Sequence, residues 1–257
     1  MSRPAFLVVC ALAVFPLECR SGELHSAAAQ GDRAAVETLL ANVADINASD
    51  FRLGTALHYA AVSDQAEIAD ILVRHGADME IPGELQETRP LHLAAEMGSE
   101  QTAQVLLRHG ADIEALDGNG RSVLARAAIA GQVGILRLLL EQGARIEARL
   151  PLSGRTALIE AAYTGQLEAA KFLVEMGAEV NARDNRGKSA LWYASTPESY
   201  SPAGGPGLLR LLVENGADLE AGDDTGTTPL AWARKSYGRS RTYRDIADEL
   251  VRLGAQE

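Results

Sequence analysis

The sequence predicts an all-α repeat solenoid, in which stacked helix-turn-helix units are joined by β-hairpin-like connecting loops. Three observations predict this class. A related phrase recurs along most of the chain, chiefly at a spacing of 33 or 34 residues, and such self-similarity is typical of repeat architectures. Each copy contains two apolar stretches with the spacing of α-helices. Turn-forming Gly, Asp and Asn residues separate one copy from the next.

A leucine marks the same position in each copy of the phrase. The seven leucines are Leu24, Leu57, Leu91, Leu124, Leu158, Leu191 and Leu230. A glycine follows the leucine by 19 residues in copies two to five, and Val43 takes its place in the first copy. In the last two copies the glycine follows by 25 and 24 residues. Residues 196–207 and 235–245 are therefore predicted to be insertions within a repeat domain that spans residues 22–257.

The third copy shows how these residues build one unit. Leu91, Ala94 and Ala95 fall at helical spacing, and Gly98 ends this first helix. The second helix ends before Gly110, because glycine readily adopts the left-handed conformation that caps many helices. One such unit cannot bury its apolar face alone, so its stability depends on stacking against its neighbours.

The recurring phrase resembles the ankyrin repeat, whose units carry T-P-L-H-x-A at a period near 33 residues. The copies that carry the resemblance are "ELHSAA" (23–28), "TALHYAA" (55–61), "RPLHLAA" (89–95), "SVLARAA" (122–128), "TALIEAA" (156–162), "SALWYAS" (189–195) and "TTPLAWA" (227–233). The resemblance implies that partners contact the hairpin tips and the exposed positions of each first helix, which together line a concave groove. The partner itself stays open, because function resides in particular side chains rather than in the fold.

The resemblance places candidate partner-binding residues at two kinds of position. On the first helices they are Val62, Met97, Ile129 and Tyr163, which would form an apolar stripe. At the hairpin tips they are Arg52, Arg121, Arg155, Arg186 and Lys188, which would form a basic rim suited to an acidic partner segment. The alternative for the stripe is that its members only pack on one another. Acidic residues in the same hairpins bring the local charge near zero, so the acidic partner is one possibility among others.

The histidines favour a structural role. His25, His58 and His92 hold one position of the repeat, where the resemblance implies hydrogen bonds between adjacent units. Equivalent residues of neighbouring repeats lie roughly 8–10 Å apart, which is too far for shared metal ligands at ~2 Å. No nucleophile, metal or nucleotide motif is present, so no catalytic, cofactor-binding or metal-binding residues are predicted.

Charge limits the classes of partner. The chain carries 24 Lys and Arg residues against 35 Asp and Glu residues, for a net charge of −11. Nucleic-acid binding usually needs a basic surface, so it is not expected. We expect an unidentified protein partner, no stable membrane span, no cofactor, and a chain that is monomeric on its own.

Residues 1–21 differ from the repeats. Arg3 precedes an apolar run of 11 residues, Ala5–Phe15, and a short polar stretch follows. This order predicts a secretory signal peptide, since the run is too short to span a bilayer. The protein is then periplasmic or secreted, as expected of an exported bacterial member of the family. The alternative is a cytoplasmic protein whose first residues form an apolar cap on the first repeat.

The sequence therefore predicts a non-catalytic protein–protein interaction module that presents a concave groove to a protein partner. Two alternatives remain open: a regulatory or protective subunit of an enzyme complex, and a cytoplasmic interaction scaffold. An enzyme built on the two insertions is disfavoured, because neither insertion contains a nucleophile with its base or a set of metal ligands.

Overall fold

The computed structural model describes residues 22–42, 45–196, 205–236 and 241–256. Within these ranges it contains fourteen α-helices and no strand, which confirms the predicted all-α repeat class. The helices are α1 (Gly22–Gln30), α2 (Arg33–Leu40), α3 (Ala56–Val62), α4 (Ala66–Arg74), α5 (Pro90–Met97), α6 (Glu100–Arg108), α7 (Val123–Ala130), α8 (Val133–Glu141), α9 (Ala157–Thr164), α10 (Leu167–Glu175), α11 (Ala190–Ala194), α12 (Gly205–Glu214), α13 (Pro229–Lys235) and α14 (Arg241–Arg252).

Some predictions concern residues outside these ranges. The predicted signal peptide, residues 1–21, lies outside the described residues. So do residues 197–204 of the first predicted insertion and residues 237–240 of the second. Among the described residues, no helix combines the length and the apolar character that crossing a bilayer requires.

Each anchor leucine lies in the first helix of its repeat, and a second helix of different character follows. The first helices are rich in alanine and largely buried, as in α7, where six of eight residues are buried. The second helices are amphipathic, as in α8, which buries Ile135, Leu136 and Leu139 along one side. Small alanine side chains let the first helices approach closely, and the second helices cover them with longer aliphatic side chains.

The chain divides into two compact units. The first contains residues up to Ala94 together with Ser99–Asp112, and the second contains Ala95–Gly98 together with residues from Ile113 onward. In the first unit α1 packs on α3, and α4 packs on both α2 and α6. In the second unit α9 packs between α7 and α11, while α10 packs between α8 and α12. Each unit therefore repeats the same pairing of first helices with first helices and second with second.

The predicted Ser and Thr helix starts and glycine helix ends are confirmed, but the predicted insertions 196–207 and 235–245 overlap helices, because α12 begins at Gly205 and α14 begins at Arg241. Ser122 accepts a hydrogen bond at 3.2 Å from the Ala125 amide at the start of α7, and Ser189 and Thr228 begin α11 and α13 in the same way. Gly110, two residues beyond the end of α6, has a φ of 90°, in the left-handed region that glycine adopts without strain. Sequence punctuation alone therefore locates these ends.

The connecting loops are hairpin-like, as predicted. Isolated antiparallel bridges join Leu116 with Ser122 and Arg183 with Ser189. An aspartate begins most of these hairpins, and one of its oxygens accepts backbone amides two and four residues later. For Asp117 the donors are the amides of Asn119 at 2.8 Å and Arg121 at 2.9 Å. These aspartates therefore hold the turns together through their own hydrogen bonds.

The other oxygen of the hairpin aspartate accepts a hydrogen bond from a side chain nine residues later. The Tyr59 hydroxyl donates to Asp50 at 2.6 Å, and the Tyr193 hydroxyl donates to Asp184 at 2.7 Å. Arg126 Nε donates to Asp117 at 2.7 Å. The fold thus occupies both oxygens of these carboxylates and ties each hairpin to the first helix that follows it.

The predicted structural role of the repeated histidine is confirmed within the first compact unit. His58 is completely buried, and its Nε2 lies 2.9 Å from the carbonyl oxygen of Thr88 in the next repeat. Its Nδ1 accepts the backbone amide of Thr55 at 3.0 Å. A Cβ at Gly54 would lie 2.9 Å from His58 Nδ1, and a Cβ at Gly83 would lie 3.0 Å from His58 Nε2 and 2.3 Å from the Leu53 carbonyl oxygen. The hairpin backbone and the imidazole therefore fit together only with glycine there.

Candidate functional site

Six aromatic and basic side chains meet on the first helices of the second compact unit. Tyr163 lies on α9, Trp192 and Tyr193 lie on α11, and Trp232 lies on α13. Arg155 and Lys188 come from the hairpins that precede α9 and α11. We call this group the aromatic–basic face: Arg155, Tyr163, Lys188, Trp192, Tyr193 and Trp232.

The four rings form a continuous row. The ring centroids of Tyr163 and Tyr193 lie 5.4 Å apart, and those of Tyr193 and Trp192 lie 5.5 Å apart, both edge to face. Trp192 and Trp232 follow at 5.4 Å. These separations are in the range where aromatic rings attract one another through their edges and faces. Because α9 packs directly on α11, the rings of Tyr163 and Tyr193 meet across adjacent repeats.

Two cations cover this row of rings. The guanidinium carbon of Arg155 lies 5.0 Å from the ring centroid of Tyr163 and 5.5 Å from that of Tyr193. Lys188 Nζ lies 3.5 Å from the ring centroid of Trp192 and 5.9 Å from that of Tyr193. Both arrangements are cation–π contacts, which strengthen as water is excluded. The predicted basic rim is thus partly turned inward, over aromatic side chains.

Burial affects the pKa of Lys188. Partial desolvation lowers the pKa of its ammonium group, and the nearby carboxylates of Asp223 and Asp184 oppose that effect. Tyr163 is 39 % exposed, whereas Trp192 is only 3 % exposed. The face therefore offers one accessible ring and a partly dehydrated cation, with a buried indole beneath the cation.

Glu160 is the acidic side chain at this site. It is 1 % exposed, and Arg155 Nη1 donates a hydrogen bond to its Oε2 at 3.3 Å. Burial raises the pKa of the Glu160 carboxyl, and the positive charges of Arg155 and Arg121 oppose the increase. Tyr193 holds the position in its own repeat that Glu160 holds here, and its hydroxyl donates to a hairpin aspartate. The hairpin before α9 begins with Leu150 instead of an aspartate.

Replacement of Glu160 by glutamine tests this burial. A carboxyl whose pKa is raised by folding favours the folded state at low pH, and this contribution is lost as pH rises through its folded pKa. Glutamine has no such dependence. We therefore expect the free energy of unfolding of Glu160→Gln to rise relative to that of the original protein between pH 4.5 and 7.5, as measured by urea unfolding. A difference that does not change with pH would contradict the prediction, and Glu168→Gln, at an exposed position of α10, is the control.

The structure brings some of the predicted partner-binding residues together and separates others. Arg155, Tyr163 and Lys188 form part of the aromatic–basic face. Ile129 and Met97 are half-buried in the second compact unit, on α7 and at the end of α5. Arg121 is half-buried and Arg186 is exposed at their hairpins. Of these four residues only Arg186 is exposed, and binding at them stays a prediction.

The remaining two predicted residues belong to the first compact unit. Val62 is half-buried at the end of α3. Arg52 is exposed, and its guanidinium carbon lies 5.6 Å from the ring centroid of Phe51. Phe51 itself is 83 % exposed at the hairpin tip. This hairpin therefore presents an arginine and an aromatic ring side by side.

Sequence reasoning missed four side chains at the site: Glu160, Trp192, Tyr193 and Trp232. Trp192 occupies the position that His58 holds in its own repeat, and two repeats that lack this histidine directly precede it. The available signal was the occurrence of both tryptophans of the chain on first helices of adjacent repeats. Among the described residues, no group of three or more His, Cys, Asp or Glu side chains could hold a metal ion.

Comparison with known proteins identifies the family. The family model described as "Ankyrin repeats (3 copies)" matches residues 24–117, 91–184 and 145–203. The chain belongs to the ankyrin-repeat family. Ankyrin repeats generally serve as protein–protein interaction modules and are generally not catalytic.

Solved ankyrin-repeat structures resemble this chain over most of its length. The ankyrin repeat domain of Bcl-3, described as a unique member of the IkappaB protein family, is 32 % identical with a TM-score of 0.69. That match covers 90 % of this chain and 100 % of the other. The human ASB11 ankyrin repeat domain is 24 % identical with a TM-score of 0.75, covering 91 % of this chain and 98 % of the other. The second likeness shows the fold alone.

One relative found by sequence comparison is named as an enzyme. Palmitoyltransferase akr1 of Schizosaccharomyces pombe is 43 % identical to this chain over 67 residues. The match covers 25 % of this chain and 10 % of that protein. The chain thus spans about a tenth of the length of the palmitoyltransferase, and the likeness concerns repeat sequence.

Proposed function

We propose that this ankyrin-repeat protein is a non-catalytic interaction module that binds a protein partner through the groove side of its first helices and its hairpin tips. The aromatic–basic face is the observation that carries the proposal. It combines the accessible ring of Tyr163 with arginine and further aromatic side chains, the residue types that dominate binding energy at protein interfaces. The equivalent positions Ile129 and Met97 extend it as half-buried apolar residues.

We propose seven repeats for the chain. The family match ends at residue 203, within the sixth repeat, and four structural observations support the last two repeats. α11 pairs with α12, and α13 pairs with α14, as first and second helices do elsewhere. Leu191 and Leu230 are buried at the anchor position, and Gly216 and Gly254 follow the second helices with positive φ.

We also propose export to the periplasm or the cell exterior. The proposal rests on the order of basic, apolar and polar residues in positions 1–21. Intact-mass measurement on fractionated native cells tests it. A mature chain that lacks these residues and is found outside the cytoplasm is expected. A full-length cytoplasmic chain would instead support the apolar cap on the first repeat.

A triple substitution tests the groove. The variant changes Met97, Ile129 and Tyr163 together to serine. It should lower the affinity for the natural partner by about tenfold or more, since interface energy concentrates in a few apolar and aromatic anchors. The partner is first captured by crosslinking in native cells and identified by mass spectrometry, and its affinity is then measured with purified components. If it is an enzyme, this chain is a regulatory or protective subunit.

The control for this experiment is Met176→Ser. Met176 is 48 % exposed and follows the second helix α10, away from the first-helix positions. The Met176→Ser variant should bind the partner with the affinity of the original protein. Urea unfolding of each variant separates loss of binding from loss of folding. Normal binding by the folded triple variant would exclude the groove, and unfolding of that variant would show that the three residues only pack on one another.

A further inference from the structure

We propose that the aromatic–basic face recognises an acidic peptide segment of the partner, whose carboxylates pair with Lys188 and Arg155 while an adjacent apolar residue packs on Tyr163. This inference rests on the proposed binding function and specifies the chemistry of what is bound. The aromatic–basic face has hydrogen-bond donors that no acceptor in the described residues uses, and these donors carry the inference.

Unused donors predominate at this face. Lys188 Nζ has no hydrogen bond or ion pair to any described residue, and lies instead above the Trp192 ring. The Nε atom of Arg155 and the indole Nε1 atoms of Trp192 and Trp232 are buried without a hydrogen-bond partner in the part of the chain that the structure describes. Buried polar groups are normally paired, and an unpaired donor is unfavourable. An acceptor-bearing ligand that rearranges these side chains would relieve this.

The nearby acidic side chains leave this surplus of donors in place. Asp184 accepts the amides of Arg186 and Lys188 with one oxygen and the Tyr193 hydroxyl with the other. Asp223 accepts the amides of Thr225 and Thr227. Both carboxylates attract the charge of Lys188 without bonding to it. The hairpin amides and the Tyr193 hydroxyl thus occupy both oxygens of Asp184 and one oxygen of Asp223, and the cations keep donors for a ligand.

Glu160 is the remaining acidic group, and it does not satisfy Arg155. Its hydrogen bond to Arg155 uses Nη1, while Arg155 Nε stays unpaired. Burial also disfavours the charged carboxylate, because it raises the pKa of Glu160. A carboxylate from a partner, which can accept two parallel bonds from a guanidinium, would suit Arg155 better than the single contact that Glu160 makes.

The arrangement disfavours other ligand classes. A cationic segment would have to displace Arg155 and Lys188 from the rings that they already cover, and it would be repelled by their charge. A nucleic acid offers acceptors, but its dense negative charge would be repelled by a chain whose net charge is −11. A short acidic peptide carries few charges and includes apolar residues for the accessible ring. It therefore fits the face best.

A displayed library of random linear peptides, selected on the full chain, tests the proposal without knowledge of the natural partner. We expect selected peptides to be enriched in Asp and Glu beside an apolar residue. Their binding is followed by intrinsic fluorescence, because the chain has two tryptophans and both belong to the aromatic–basic face. Binding should weaken as salt increases, as expected for charges that remain partly solvated.

Substitution at Lys188 is the decisive variant. Lys188→Gln should lower the affinity of the chain for the selected acidic peptides by about tenfold or more. Lys188→Arg should retain most of that affinity. Lys171→Gln, which removes an exposed lysine from α10, is the matched control and should bind as the original chain does. Unchanged affinity in a folded Lys188→Gln variant would overturn the proposal.

Other outcomes separate this inference from the proposed function. Selected peptides without acidic enrichment, whose binding depends on Tyr163 but not on Lys188, would overturn the acidic preference and leave the groove function standing. Peptides that depend on neither residue would overturn both. A single-stranded DNA oligonucleotide tests the nucleic-acid alternative. If it competes with the peptides, and if Lys188→Gln no longer binds it, the peptide proposal is overturned in favour of nucleic acid.

Discussion

Replacement of Arg126 by alanine is expected to lower the free energy of unfolding of the second compact unit by about 3–5 kcal/mol, as is typical when one member of a buried ion pair is removed. The Arg126 side chain is 8 % exposed and that of Asp117 is fully buried. Arg126 Nη2 lies 2.5 Å from Asp117 Oδ2, and its Nη1 lies 2.5 Å from Glu96 Oε2.

The size of this effect follows from what remains after the substitution. Asp117 would stay buried without its cation, because its other oxygen still holds the backbone amides of the hairpin. Glu96 would lose its cation as well. An unpaired buried charge is costly, so the loss includes desolvation that Arg126 now compensates. Loosening of the hairpin before α7 should accompany it.

Urea unfolding followed by circular dichroism measures this difference, and hydrogen exchange identifies the helices affected. The control is Arg145→Ala, which removes an arginine that is 74 % exposed and lies 3.1 Å from Glu114. Exposed ion pairs typically contribute about 0–1 kcal/mol. If Arg126→Ala costs no more than Arg145→Ala, the buried pair does not stabilise the hairpin.

Most of the fold could be predicted from the sequence because its determinants are local and periodic. Anchor leucines, Ser and Thr at helix starts, and Gly110 after a helix each act within a few residues. Repetition then extends one unit to the rest of the chain. The Arg126 pair is different: it joins a first-helix side chain to a carboxylate nine residues earlier, and only the folded hairpin brings them together.

The candidate site could be predicted only in part. Sequence position placed Arg155, Tyr163 and Lys188 at variable positions of the repeat, but could not show that both cations turn over aromatic rings. That arrangement depends on distances across adjacent repeats and on side-chain conformations, which a repeat period does not encode. Trp192 illustrates the difficulty, since its position holds a histidine in the first three repeats and is buried here.

The second large effect expected is a loss of stability in acid that arises from His58. Burial is the main cause that lowers the pKa of His58 from its ordinary value of 6.5 to about 4. The geometry gives the reason in atomic terms. Its Nδ1 accepts the Thr55 amide, so that nitrogen carries no proton, and Nε2–H donates to the Thr88 carbonyl. A second proton on Nδ1 would face the amide hydrogen and break this contact.

A base whose pKa is lowered by folding stabilises the protein above its ordinary pKa, and the contribution is lost as pH falls from about 6.5 toward 4. A shift from 6.5 to about 4 corresponds to about 3 kcal/mol when complete, of which about 2 kcal/mol is lost between pH 7 and pH 5. Glutamine can donate and accept in a similar way but does not titrate. The advantage of the original protein over His58→Gln at pH 7 should therefore shrink by about 2 kcal/mol at pH 5.

Urea unfolding at both pH values measures this change, and acidic residues common to the two proteins cancel in the difference. The control is His75→Gln, which removes an imidazole from the exposed end of α4 rather than a buried one. An equal difference at pH 7 and pH 5 would contradict the prediction. Because His58 bonds to the hairpin of the next repeat, its protonation would break a contact between neighbouring repeats in the first compact unit. The protection factors for amide exchange in α3 and in the loop around Thr88 should then fall more at pH 5 than those in the rest of that unit.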